Sequence, residues 1–310
     1  MDRRGFIKKG GLACGALALP DGSPFFINEH NDKDKEIPLI DTHLHLWDLN
    51  HLDYPWLQDP ENLLSRNFLL ADYQEATAGL PIEKMVFVEC ARDPAQYLQE
   101  VDWVRGIQEK DRRISGMVAY FPLEKGISGT REMEVMAERK IVKGIRKAFM
   151  PGHQGFLAGI KMLGQFKWSY DLNIRPVDLP VAFEFAKANP DLVIVLDHIA
   201  NPYIGNNDWE VWEKAISPFS SLQNVSCKIS GMLTKTDPTA GSIDQMSPYF
   251  NTVLEVFGID RVLFGGDWPV LLRAASYKDW VKDFYTMTEN LTLNEKKKLY
   301  HNNAALIYRL

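Results

Sequence analysis

The chain has 310 residues, 45% of them hydrophobic, and a formal net charge of −6. That apolar content suffices for one large α/β core or two smaller ones, and an acidic balance without a long basic stripe argues against a nucleic-acid partner. No apolar run reaches the roughly 18–20 residues of a membrane span, so no integral span is expected.

The N-terminal stretch Asp2-Arg3-Arg4-Gly5-Phe6-Ile7-Lys8-Lys9 resembles a twin-arginine export signal. A short, weakly apolar run from Gly10 to Leu19 follows, with small residues at Ala16 and Ala18. Residues 1–20 are therefore expected to direct export to the periplasm; the alternative is the basic N-terminus of a cytoplasmic protein. Cys14 matches a lipoprotein cleavage box only loosely, which makes a lipid anchor the lesser expectation. Residues 21–36, rich in Asn, Asp, Lys, Gly and Pro, read as a flexible tether, and a single domain is expected over 37–310. Cys90 and Cys227 read as small buried hydrophobes, and no disulfide framework is indicated.

From Ile37 onward short apolar runs alternate with amphipathic ones. Eight strands are expected: Leu39–His43, Lys84–Cys90, Ser115–Tyr120, Val142–Lys147, Asp171–Arg175, Leu192–Asp197, Val225–Ile229 and Arg261–Phe264. Helical patterns cover Pro94–Lys110, Thr130–Arg139, Leu179–Ala188, Trp209–Ile216, Ser247–Phe257 and Tyr277–Met287, with Pro248 limiting where the fifth can start. Strand-then-helix units over this length predict a (β/α)8 TIM barrel. A doubly wound open sheet is the alternative, but the first strand is followed by His43-Leu44-His45 where a Gly-rich phosphate loop would stand. Two long connections, Leu46–Leu80 and Phe149–Trp168, read as loops shaping the barrel mouth.

In such a barrel the residues closing each strand look into one cup. Strand alternation places Asp41, His43 and His45 on one face, suited to a divalent metal or to polarising a carbonyl. Asp267, held at the Gly265-Gly266 turn before Trp268-Pro269, is the candidate general base, with helix N-capping as its structural alternative. His198 closes the sixth strand and could polarise a carbonyl or hold water; Asp197 would point away and serve structure. Arg146, Arg175 and Lys228 are cations suited to a carboxylate, a hydroxyl or an oxyanion. Glu89 would bind substrate hydroxyls or pair with one of these cations. Trp47, Trp56 and Trp268 could wall an apolar or sugar-binding face.

The ordered set Thr42-His43-Leu44-His45-Leu46-Trp47-Asp48, Tyr54-Pro55-Trp56-Leu57, Leu196-Asp197-His198, Cys227-Lys228-Ile229-Ser230-Gly231 and Phe264-Gly265-Gly266-Asp267-Trp268-Pro269 resembles the amidohydrolase superfamily, in the branch containing sugar-acid lactonases such as L-fuconolactonase and L-rhamnonolactonase. The resemblance implies a (β/α)8 barrel that hydrolyses a small-molecule lactone. It matches His43 and His45 to the first-strand metal pair, His198 to the sixth-strand histidine and Asp267 to the eighth-strand aspartate. Arg175 stands where many members carry a metal-binding histidine, so at most one divalent ion, Zn²⁺, is implied on His43, His45, Asp267 and His198. Metal-independent hydrolysis is the other option. A non-oxidative decarboxylase and a non-catalytic exported sugar-binding barrel are the rival readings, and a homo-oligomer is left open.

Overall fold

A computed structural model describes residues 37–310; the expected export signal, Cys14 and the expected tether fall in residues 1–36, outside the described residues. Eight parallel strands pair in sequence order: β1 Leu39–Leu44, β2 Ile82–Val88, β3 Ile114–Ala119, β4 Val142–Arg146, β5 Ser169–Leu172, β6 Ile194–Leu196, β7 Val225–Ile229 and β8 Val262–Phe264. A helix follows each one: α1 Leu70–Ala76, α2 Tyr97–Lys110, α3 Thr130–Ala137, α4 Gln154–Phe166, α5 Leu179–Ala188, α6 Trp209–Ile216, α7 Ser242–Phe257 and α8 Tyr277–Met287. The architecture is a (β/α)8 TIM barrel. Among the described residues no helix is long and apolar enough to cross a membrane.

Closure between β1 and β8 uses the chain just beyond each strand. The Asp267 amide donates to the His43 carbonyl and the His45 amide to the Trp268 carbonyl, both at 2.8 Å. Asp41 ties the seam together. It accepts the Gly266 amide at 2.7 Å and the hydroxyls of Tyr73 on α1 and Tyr277 on α8, each at 2.9 Å. A Cβ on Gly266 would stand 2.5 Å from Tyr277 and 2.6 Å from Asp41, so only glycine permits this approach.

The seam also corrects an expectation. Ile40 belongs to the apolar cluster inside the barrel, whereas Asp41 binds helices outside it. The register between β1 and β2 shifts between Asp41 and Leu44, and this irregularity puts Asp41 on the opposite side from His43.

Two apolar cores result. The larger lies between sheet and helices; the smaller fills the barrel with Ile40, Val86, Val88, Val118, Val195 and Leu263. Beyond α8 the chain forms α9 Leu293–Lys297 and α10 Asn303–Tyr308, joined by a π-helical turn, and Ala304 and Tyr308 pack into the inner core.

Three helix expectations need correction. The connection Leu46–Leu80 contains α1, and Phe149–Trp168 is mostly α4 rather than loop. Helix α7 starts at Ser242 and carries Pro248 inside it, because burying Met246, Tyr249, Phe250 and Val253 outweighs the lost backbone hydrogen bond.

Candidate active site

His43 and His45 leave β1 on the same side, and Asp267 and His198 reach them from the turns after β8 and β6. Oδ1 of Asp267 is 3.9 Å from Nε2 of His43 and 3.7 Å from Nε2 of His45; Oδ2 is 4.0 Å from Nδ1 of His198. The His43 and His198 rings lie 4.3 Å apart. Strand β6 ends at Leu196, and the chain then runs through four consecutive left-handed residues, with φ of 53° at His198, 50° at Ile199, 65° at Ala200 and 54° at Asn201. Asp267 is also left-handed, at φ 53°. Non-glycine residues in this region carry about 1–2 kcal/mol of strain each, and such strain concentrates at functional sites. Gly231, at φ +66°, passes so close that a Cβ there would stand 2.7 Å from Nδ1 of His198.

Hydrogen bonds fix the imidazoles. Nδ1 of His45 lies 2.8 Å from the Val88 carbonyl, which can only accept, so the proton is on Nδ1 and Nε2 offers its lone pair towards Asp267. His43 meets a donor on each side, Arg146 Nη1 at 3.4 Å from its Nε2 and Lys228 Nζ at 3.4 Å from its Nδ1, with Asp197 3.5 Å from Nδ1. Nδ1 of His198 pairs with the Ser230 hydroxyl at 2.9 Å.

Burial holds all three imidazoles neutral: it lowers His43 and His45 well below the ordinary histidine range and His198 to about 4. Burial likewise raises the Asp267 carboxyl to about 8, against the pull of Arg146 and with help from Asp197 and Asp41. Arg146 stays charged despite burial, because Glu89 and Asp197 face it. Its Nε donates to Oε1 of Glu89 at 2.9 Å and its Nη2 to the Glu89 carbonyl at 2.6 Å.

These side chains open onto a cavity of about 290 Å³, lined by His45, His198, Asp267 and Arg146, with Trp47 and Trp56 as an aromatic side. His43 stands behind it. The other expected residues are placed differently. Strand β5 ends at Leu172, so Arg175 does not close a strand; its side chain is 70% exposed, 3.9 Å from Asp178, and is not part of this cavity. Lys228 is fully buried between Asp171 at 2.7 Å and Asp197 at 3.0 Å, and Asp171 also accepts the Tyr308 hydroxyl at 2.6 Å. It cannot bind substrate directly. Glu89 is committed to Arg146 and to the Ala91 amide. Trp268 packs against Phe68 and Tyr73 outside the cavity. Asp197 is no bystander: it contacts both His43 and Lys228.

The structure adds Asn173, Asn201 and Lys235, which line the cavity from the loops after β5, β6 and β7. Asn173 and Asn201 stand within a few residues of strand ends, a usable signal in a barrel. Nothing in its sequence neighbourhood distinguishes Lys235.

His43, His198 and Asp267 can bring one ligand atom each within 4.8 Å of one another, all buried. Two neutral imidazoles and a carboxylate suit one divalent ion. His45, expected as a ligand, falls outside this group.

The amidohydrolase family model matches residues 40–310. This chain belongs to the amidohydrolase family. Among its relatives, y4mH of Sinorhizobium fredii, an uncharacterised protein, is 29% identical over 299 residues, which span 89% of this chain and 99% of that protein. L-fucono-1,5-lactonase of Burkholderia multivorans is 26% identical over 296 residues, covering 87% and 96%. A crystal structure of an amidohydrolase from Burkholderia multivorans with bound zinc superposes with a TM-score of 0.78 at 25% identity, over 88% of this chain and 99% of that one. In the amidohydrolase family, then, the clustered His43, His45, His198 and Asp267 occupy the C-terminal end of the barrel strands, where enzymes of this fold place their chemistry.

Proposed function

We propose that this chain hydrolyses the ring ester of a sugar-acid lactone. The observation that carries the reading is Asp267: a buried carboxyl raised to about 8, surrounded by three neutral imidazoles and facing a cavity that also presents Arg146. The lactonase name of a relative that matches nearly end to end supports it.

In the proposed reaction Asp267 takes a proton from water as the water oxygen attacks the lactone carbonyl. The tetrahedral oxyanion forms beside the Arg146 guanidinium and is stabilised by it. The ring C–O bond then breaks, and the proton held by Asp267 passes to the departing alkoxide, leaving the open hydroxy acid. His198 and His45 orient the water and the carbonyl through their uncommitted nitrogens, while Trp47 and Trp56 cover the apolar side of the ring. His43, His198 and Asp267 are the residues that would hold a divalent ion, for which we propose Zn²⁺; when bound it would act as a Lewis acid on the carbonyl.

The test is acid release from a panel of aldonolactones, followed at constant pH with and without chelator. Release dependent on Asp267 is expected. Carbon dioxide release from a carboxylic acid, with every lactone left intact, would replace this reading with the decarboxylase.

A further inference from the structure

The active-site cavity continues outward. A second hollow of about 350 Å³ adjoins it, and Asn173, Asn201 and Lys235 line both. The three side chains come from the loops after consecutive strands β5, β6 and β7, so they converge on one side of the mouth.

Their hydrogen bonding leaves defined groups free. Asn201 gives both amide hydrogens away, to Oδ1 of Asn173 at 2.8 Å and to the Ile174 carbonyl at 3.0 Å. Its own Oδ1 is left as an acceptor and Nδ2 of Asn173 as a donor, neither with a partner among the described residues. Asn201 is also held by its amide, which donates to the His198 carbonyl at 2.7 Å, so it is set by the same left-handed turn that carries His198.

Lys235 is the decisive group. It is half-buried, and among the described residues its ammonium has neither an ion pair nor a side-chain hydrogen bond. The other cations near the site are matched: Arg146 by Glu89, Lys228 by Asp171 and Asp197, Arg175 by Asp178. The Lys235 charge reaches the reacting centre, adding to the pull on the buried Asp267 and His198. A partly desolvated ammonium without a counter-ion is unfavourable in the free protein and is relieved by an anion.

We propose that Lys235, Asn173 and Asn201 form a subsite for a carboxylate on the substrate, so that the lactone opened here is an acidic one. The ammonium and Nδ2 of Asn173 donate to the carboxylate, and Oδ1 of Asn201 accepts from a hydroxyl beside it. Such a substrate is the lactone of an aldaric acid rather than the neutral lactone of an aldonic acid. The chemistry at the other end rests on the lactonase reading above; the binding site does not.

The experiment compares an aldarolactone with the aldonolactone of the same ring size and configuration. It also measures calorimetric binding of the two open-chain acids to the chelator-treated protein. The wild type should favour the acidic lactone by at least tenfold in kcat/KM, mostly through KM, and K235Q should bring the ratio within threefold while K235R restores most of it. Equal use of both lactones by the wild type, or an equal loss on both in K235Q, overturns the subsite. If neither lactone is opened, the lactonase reading falls alone and binding decides: aldarate bound at least tenfold more tightly than aldonate, with the difference lost in K235Q, upholds the subsite, and indifference to the second carboxylate overturns it.

Discussion

Nη1 of Arg146 stands 3.4 Å from Nε2 of His43, nearer to that nitrogen than the Asp267 carboxylate at 3.9 Å. The guanidinium addresses the lone pair through which His43 would ligate an ion, and it brings a positive charge to the place where a cation would sit. A unit charge at about 4 Å is worth about 4 kcal/mol at an effective dielectric constant of 20, and Glu89 offsets part of it. R146Q should therefore bind Zn²⁺ at least tenfold more tightly than the wild type, which should take up no more than one ion per chain. Competition against a chromophoric chelator measures both. Equal affinities would show that this lone pair is not contested.

Asp267→Asn keeps the size of the buried side chain and removes its capacity to take a proton. Loss of a general base costs about 10²–10⁴-fold, so kcat for lactone opening should fall by about a thousandfold with the circular dichroism spectrum unchanged. A rate within tenfold of wild type would move the base elsewhere.

Glu100 makes a separate, pH-readable prediction. It accepts the Cys90 amide at 3.0 Å and lies 3.5 Å from Arg92, and burial raises it from 4.5 to about 7 despite that arginine. The folded protein thus holds a proton that the unfolded chain has released between pH 4.5 and 7. Unfolding free energy attributable to Glu100 is full below the lower value and declines as pH rises through the upper one. Urea melts across that window should show a shallower decline in E100Q. An identical pH dependence in both proteins would remove Glu100 as its source.

Lys228 neutralises two buried carboxylates, and deleting one member of such a cluster costs about 3–5 kcal/mol. K228M should lose stability on that scale, and D171N/K228M should recover part of it because one stranded carboxylate is gone. A K228M protein as stable as wild type would mean that Asp171 and Asp197 are not both charged.

Much of the barrel is legible from apolar runs, since strands covered on both faces read as continuous Val, Ile and Leu. Where reading fails, polar or glycine positions serve tertiary needs. Strand β5 begins Ser169-Tyr170-Asp171, and Asp171 faces Lys228 and Tyr308 rather than apolar neighbours. The apolar signal is therefore interrupted, and the strand is displaced towards Arg175 by anyone following it. Helix α4 carries Gly155 and Gly159, whose Cβ atoms would stand 2.0 and 2.2 Å from the carbonyl oxygens of Glu124 and Leu123. These glycines, which locally suggest a loop, are the condition for close packing of the helix. His43 near the end of β1, and His45, His198 and Asp267 just past strand ends, converge because all four sit at the C-terminal ends of the strands. Lys235 lies deeper in a loop, where no periodicity marks it.

The Asp41 seam bears on how the protein can be made. Asp41 meets Gly266 and Tyr277 across sequence separations of 225 and 236 residues, and Asp171 meets Tyr308 across 137. A chain growing from its N-terminus must carry β1, with His43 in it, paired only on its β2 side until β8 has been synthesised. Contacts of such span form late and slowly. His43 leaves the ribosome early but meets Asp267 only once the turn after β8 has been made, so the site itself reports completion of folding.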